Sequence, residues 1–427
     1  MKDKKQITCD ITVIGAGFAG MVAAARASDL GLKTVQTGNS SHLYFASGLF
    51  DFLGVYPLGS RTPIEDPRTG LELLQKEMPD HPYSKTSLET ILKSFDFLAR
   101  FLHSTGLNYV KPDKDNRSVL TAAGTFKPTC MMPETISKGG LLKKDTPLLL
   151  IDFKGLKGFC AGQIAAVLKK NHPYIFTLSV EVPGESGNLN PTYLATLFED
   201  SSFLKNLATQ ISPFSNKVKL VGMPAVCGIN KSLDILTRLE KMTGMDIFEI
   251  PMMPPSIPGL RLKNAFEKKL AGNHVHFLSQ TKITSPQFNG SEFILNAVNQ
   301  NMKTQIRSKG IILATGRFPG GGLHAKRGCI QETVFNLPVY QPDERSLWHH
   351  LNFFEKQGHM INTAGVETDI VFRPVDTHGA VIYENLYAVG TLLAHNDWVR
   401  LKSGSGVSAV SAVTAVNDFY KKNTAGL

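Results

Sequence analysis

Cysteine is scarce in this chain. Five occur among 427 residues, at positions 9, 130, 160, 227 and 329, and no two are close in sequence. The absence of a Cys-x-x-Cys pair excludes an iron–sulfur cluster ligated in the usual spacing. A disulfide framework is not expected in a cytosolic chain of this size. Long apolar runs are missing as well. Stretches such as Pro147–Phe153 and Gly310–Ala314 have the length of buried strands, so no membrane span is expected. The N-terminus, Met-Lys-Asp-Lys-Lys, passes directly into a strand with no apolar leader core, which reads as a cytoplasmic protein. Tandem repeats and low-complexity segments are absent. Charge of one sign is in excess, at +10, but the lysines are scattered and no nucleic-acid motif organises them. A solvated basic surface accounts for them. Attraction to a phosphorylated substrate, an acidic protein partner or an anionic membrane surface is the alternative. With 42% hydrophobic and 19% charged residues the chain reads as globular, with two or three domains.

What the sequence does contain begins at residues 13–20, Val-Ile-Gly-Ala-Gly-Phe-Ala-Gly. A β-branched strand over 9–14 leads into a glycine turn, an alanine-rich helix over 18–30 and a second strand over 32–36. The spacing of Gly15, Gly17 and Gly20 is that of a dinucleotide-binding βαβ unit. Gly15 permits the tight turn, Gly17 lets the backbone approach a pyrophosphate, and Gly20 lets helix and strand pack closely. The acid that usually follows the second strand and binds an adenosine ribose is missing. Gln36 stands near that place and accepts hydrogen bonds without charge. The phosphate cradle is therefore present and the adenosine clamp altered, which leaves FMN, or FAD held by an amide.

Further along, helix periodicity is clear over 87–102. Residues 104–146 carry few periodic signals. Residues 147–250 alternate strands and helices, which predicts a mostly parallel sheet. Proline-rich residues 251–262 mark a boundary before a helix over 260–271 and short strands over 274–308. Strands at 310–314 and 385–390 end in Thr-Gly and Val-Gly, placing Gly316 and Gly390 where a two-domain flavoprotein completes its cofactor site. Ser47 and Gly48, in a small turn after the second strand, are candidates to lie near a flavin ring. Gly404 and Gly406 precede the last helix, whose N-terminus is a further anion or flavin-carbonyl site. Each of these is otherwise an ordinary turn or cap. The fold predicted is α/β: a split Rossmann-type flavoprotein domain (1–60 plus 255–427) with an inserted α/β domain (61–254).

Several segments carry a family resemblance: 40–53 (SSHLYFASGLFDFL), 80–84 (DHPYS), 221–229 (VGMPAVCGI), 254–270 (PPSIPGLRLKNAFEKKL), 313–327 (LATGRFPGGGLHAKR), 372–376 (FRPVD) and 404–413 (GSGVSAVSAV). In these, nearly end to end and in order, the sequence resembles the B-subunit of the anaerobic glycerol-3-phosphate dehydrogenase. That family also lacks the acid after the second strand. The resemblance implies oxidation of sn-glycerol 3-phosphate to dihydroxyacetone phosphate, with electrons passing to quinone and then to fumarate or nitrate. It implies FMN in this chain. It also implies two partners: a catalytic A-subunit that carries FAD, and a C-subunit that carries iron–sulfur clusters and the membrane attachment. The chain would then sit at the inner face of the membrane through its partners.

Alcohol oxidation by a flavin needs a base and a phosphate cradle. Arg261, Arg317, Arg327 and Arg373 are candidates for phosphate or flavin contacts. His324, His378 and His395 are candidate bases. Salt bridging for the arginines, and a surface or core role for the histidines, are the plainer alternatives. No metal site is expected. Two other readings stay open: an electron-relay or adaptor protein without alcohol chemistry of its own, and a related FAD-dependent dehydrogenase resembling fumarate reductase.

Overall fold

The computed structural model describes residues 5–59, 62–111, 113–182, 187–299 and 302–424. Its contacts divide the chain into two units. The first comprises residues 1–42, 51–101 and 266–427, and the second residues 43–50 and 102–265.

The first unit is built on strand β1 (Lys5–Ile14), helix α1 (Phe18–Asp29) and strand β2 (Thr34–Gly38). The chain returns to this unit with β3 (Val275–Ser279), β4 (Lys282–Phe288), β5 (Phe293–Asn299), β6 (Met302–Leu313), β7 (Leu386–Ala388) and the long helix α2 (Gly404–Thr424). The sheet runs β3-β2-β1-β6-β5-β4, with β7 also on β6. β1 pairs in parallel with both β2 and β6, in register Ile14 to Thr37 and Ile14 to Leu313. The strand ends that carry Gly15, Gly38 and Ala314 therefore open side by side. β4 and β5 form an antiparallel edge.

α1 and α2 lie together, and both are made largely of small buried residues: Ala19, Gly20, Ala23, Ala24 and Ala27 on one, Ala409, Ala412 and Ala415 on the other. Small side chains let two helix axes approach closely. Arg26 Nε donates to Asn417 Oδ1 at 2.8 Å and ties the pair. The pattern suggests strands 303–308 and 310–314, but they are one strand, β6, running through Gly310. A Cβ there would lie 2.3 Å from the Phe419 ring, so the glycine admits α2 rather than breaking the strand.

The units do not follow the boundaries 60 and 254. Helix Leu88–His103 groups almost entirely with the first unit, where the Arg26 guanidinium sits 5.3 Å over the Phe97 ring and Phe101 stacks on Phe266. Residues 43–50 and 255–265 group with the second.

That second unit holds a four-stranded parallel sheet in the order Asp246–Ile250, Leu220–Pro224, Leu148–Phe153, Ile175–Val180. Leu148 to Ile151 are each fully buried, as expected of a parallel strand covered on both faces. Between two of these strands lie two helices in succession, Pro191–Leu197 and Ser201–Ile211, kept distinct because Asp200 caps the second by accepting from Ser202 N–H. Inside this unit Glu249 and Arg261 are both buried and form a two-point ion pair at 2.6 and 2.8 Å.

Candidate functional site

Gly15 leaves β1 with φ of +122°, and a Cβ there would lie 2.2 Å from the Ala314 carbonyl oxygen. A Cβ on Gly20 would lie 2.1 Å from the Gly15 carbonyl oxygen. Both positions are closed to any side chain by backbone. Gly17 differs: it is the N-cap of α1, with no side-chain cap, and a Cβ there would meet nothing within 4 Å. Gly17 thus brings no capping side chain to the start of α1, where the positive end of the helix dipole lies, and its Cβ side opens onto space. That space is a cavity of about 1120 Å³ lined by Gly15, Gly17, Gly38, Thr315, Arg317 and Ser408 among others. Its size and its mixture of apolar walls with a few polar groups suit a cofactor.

Gln36 does not face this cavity. It is buried, and its Nε2 donates to the Gly15 carbonyl at 3.1 Å. The clamp position at the end of β2 is Gly38, with φ of +130° and a Cβ site 2.9 Å from Ala16 N. The missing acid is therefore a missing side chain at residue 38, and residue 36 is a brace for the glycine turn. Asn39, His42 and Lys282 line this end of the cavity. Replacing Gln36 by leucine is expected to lower stability by about 1–3 kcal/mol, because it leaves the Gly15 carbonyl without its partner. Denaturant unfolding of the purified variant measures this.

At the other end, Gly316 and Arg317 follow β6. Arg317 is buried, and its NH2 donates to the carbonyls of Leu393 and Asn396, each at 2.9 Å; its NH1 donates to that of Asn362. Burial pushes this guanidinium down to about 10, against the opposing pull of Asp397. The Arg317 Nε and Thr315 Oγ1 are buried and have no partner among the described residues. Buried polar atoms of this kind are paired in native proteins by ordered water, an ion or a ligand. With the glycine cradle, they fit a flavin nucleotide.

Gly390, at φ of +75°, packs on Ala19 and Ser408. A Cβ on Gly404 would meet the Trp398 ring, and one on Gly406 the Tyr83 hydroxyl and the Asp51 carbonyl. These two glycines seat α2, and Ser408 of that helix reaches the cavity wall. Ser47 and Gly48 belong to the second unit and are not among the lining residues; the Ser47 hydroxyl instead accepts from Leu49 N–H.

Three of the candidate arginines lie away from the cavity. Arg261 is held by Glu249 and donates to the Gly228 carbonyl at 2.9 Å. Arg373 pairs with Asp369 at 2.7 Å and with Glu384. Arg327 is exposed. None lines the cavity. His324 and His378 are exposed. His395 lies two residues from the lining residue Asp397, in a left-handed backbone conformation of φ 59°, with its Nε2 2.8 Å from Glu367 Oε1.

One further polar residue lies close to this wall without any residue-level signal in the sequence. His81 is fully buried, and burial pushes its pKa down to about 3. Its Nδ1 accepts from Tyr83 N–H at 3.1 Å, which assigns the proton to Nε2, facing Asn396 Oδ1 at 3.3 Å. It sits in the segment Asp80–Ser84, whose only signal was family likeness. Among the described residues no group of three or more His, Cys, Asp or Glu is placed to hold a metal ion. No helix among them is long and apolar enough to cross a membrane.

The FAD binding domain family matches residues 10–407. The anaerobic glycerol-3-phosphate dehydrogenase B-subunit of Vibrio vulnificus is 31% identical over 420 residues, covering 95% of both chains. A probable B-subunit of the same enzyme from Halobacterium salinarum is 29% identical over 96% of this chain and 97% of its own. Among solved structures, the 3-ketosteroid delta1-dehydrogenase of Sterolibacterium denitrificans covers 97% of this chain and 100% of its own, at 11% identity and a TM-score of 0.45. The uncapped glycine turn and the end-to-end likeness lead to one assignment: the chain carries an FAD binding domain and belongs to the anaerobic glycerol-3-phosphate dehydrogenase B-subunit family of oxidoreductases.

Proposed function

We propose that this chain is the flavin-carrying B-subunit of an anaerobic glycerol-3-phosphate dehydrogenase. It serves the oxidation of sn-glycerol 3-phosphate to dihydroxyacetone phosphate and passes electrons through a partner's iron–sulfur clusters to quinone, with fumarate or nitrate as final acceptor. The observation that carries the flavin reading is the cavity at the glycine turn that starts α1, lined by Thr315 and Arg317, each with a buried polar atom that has no partner among the described residues. The substrate comes from the name of the relatives. A bound flavin supplies the acceptor for a hydride from the substrate carbon. The chain's own part is to hold the phosphoryl tail against the N–H groups at Gly17, to exclude water with apolar walls, and to place His395, oriented by Glu367, for the hydroxyl proton. His395→Asn is expected to lower kcat about 100-fold or more with little change in flavin content, read in steady-state assays of the assembled complex.

FMN is the second reading of the cofactor. Gly38 leaves no carboxylate for an adenosine ribose, which favours the shorter nucleotide. The reach of the cavity to Asn39 and Lys282 favours FAD. The partners proposed are an FAD-containing catalytic A-subunit and an iron–sulfur C-subunit that attaches the complex to the inner face of the membrane. The exposed Leu351, Phe353 and Phe354 support a life in a complex, since apolar patches of this kind mark interaction surfaces.

Two measurements test this reading. Flavin released from the purified complex and from this chain alone is identified by mass. The bound flavin is then mixed anaerobically with glycerol 3-phosphate, succinate and 2-hydroxy acids. Bleaching by glycerol 3-phosphate alone is the expected result. Bleaching by one of the others instead, or by none with partners present, contradicts the substrate assignment. Absence of flavin from the chain favours an adaptor.

A further inference from the structure

Arg317 is a positive charge placed where burial penalises it, and among the described residues no carboxylate touches it. Its contacts are the main-chain carbonyls of Asn362, Leu393 and Asn396, contributed by two separate stretches of chain. A guanidinium has five N–H donors. Three are used by these carbonyls, and Nε is buried in the cavity wall without a partner among the described residues. The cation cannot swing away, because its fork is pinned. Asn396 is fixed in turn: its Oδ1 accepts from the Nε2–H of the neutral His81 at 3.3 Å and from the Ser403 hydroxyl at 3.4 Å. That leaves Asn396 Nδ2 as a second buried donor without a partner among the described residues. Among the described residues, the charge that acts on Arg317 from nearby is the carboxylate of Asp397, itself buried and part of the cavity wall. That carboxylate is committed elsewhere, lying 3.6 Å from Arg400 and capping the short helix Trp398–Leu401. A buried cation compensated only in part is costly unless the cavity's occupant brings electron density to it.

We propose that Arg317 is a fixed cation that raises the reduction potential of the flavin held in this cavity, with Asp397 as the opposing charge that limits the effect. The inference rests on the flavin reading above. Reduction adds electron density to the isoalloxazine, and a pinned charge in a low-dielectric wall favours the reduced form without having to move. Arg317 acts here as an electrostatic residue on the cofactor. It is not assigned to the substrate phosphate.

The test is the midpoint potential of the bound flavin, measured by anaerobic spectroelectrochemistry on the holoprotein in its complex. Arg317→Met is expected to lower the reduced-to-oxidised ratio at a fixed potential at least about tenfold, equal to about 30 mV for two electrons. Arg317→Lys keeps the charge and is expected to stay within about threefold of wild type. Asp397→Asn keeps the helix cap and removes the opposing charge, so it is expected to move the ratio the other way. This opposite sign distinguishes tuning from a merely structural role, and it remains measurable if Arg317→Met fails to fold. Potentials unchanged in Asp397→Asn and in any Arg317 variant that retains flavin would overturn the proposal. So would an unchanged potential accompanied by a weakened affinity for inorganic phosphate, which would make Arg317 a phosphate ligand. A wild-type complex in which this chain holds no flavin would instead overturn the reading beneath it.

Discussion

Gly17→Val is expected to purify folded but stripped of flavin. The backbone at Gly17 has φ of −74° and ψ of −174°, an extended conformation open to any residue. A Cβ there meets nothing within 4 Å, so the side chain enters cavity space without pressing on protein. Stability should change by less than about 1 kcal/mol, the scale of a lost N-cap preference. Flavin affinity should fall about 100-fold or more, since the valine stands where the phosphoryl group needs bare N–H donors. Gly15→Ala is the contrasting variant. There the Cβ lies 2.2 Å from the Ala314 oxygen and φ is +122°, so a loss of stability of roughly 1–3 kcal/mol or more is expected along with loss of cofactor. Thermal unfolding and visible absorbance on the two variants separate the roles. A yellow Gly17→Val with wild-type flavin content would remove phosphate binding from this turn.

Arg261→Met and Glu249→Gln are expected to be the most destabilising single changes outside the cavity, at about 3–5 kcal/mol each. Each leaves its partner as an uncompensated buried charge or breaks a saturated network. Glu249 accepts from Arg261 at two points, from the Thr135 hydroxyl at 2.6 Å and from Cys227 N–H at 2.7 Å. Burial raises its pKa, but the Arg261 charge and these hydrogen bonds outweigh burial and hold the carboxyl below its ordinary value of 4.5. The pair's contribution is therefore complete above the unfolded carboxyl pKa and is lost as pH falls through the lower folded one. Denaturant melts of wild type and Glu249→Gln should diverge most at neutral pH and converge as the medium is acidified below about 4. Were Arg261 a phosphate ligand, Arg261→Met would raise KM and leave the melt unchanged.

Much of the first unit was legible because backbone geometry dictates its residues. Only glycine serves at Gly15 and Gly20, and their spacing reads directly as strand, turn and helix. Among the buried parallel strands of the second unit, Leu148–Phe153 was legible from its apolar run Leu148–Ile151. The boundaries were not, because helix Leu88–His103 has an apolar face that fits any core, and its partners Arg26 and Phe266 lie far away in sequence. The site was legible only in its cradle. Gln36 looked like a clamp because the sequence does not say which way a strand residue points; two residues further on, Gly38 occupies the strand end that lines the cavity. Arg261 looked like Arg317, since both are cations in family-like surroundings. Only tertiary structure shows that one is neutralised by Glu249 and the other is held by carbonyls. His81 carried no residue-level signal, because its role depends on Asn396, 315 positions away.

The central claim is that the uncapped start of α1 holds the phosphoryl tail of a flavin. A density map of the assembled complex tests it most directly. The expected density is a flavin nucleotide with its phosphate against the Gly17 turn and its ring system along the wall formed by Thr315, Arg317 and Ser408. An empty cavity in a complex whose flavins all sit on other chains would contradict it, as would a nucleotide without a flavin ring in that place.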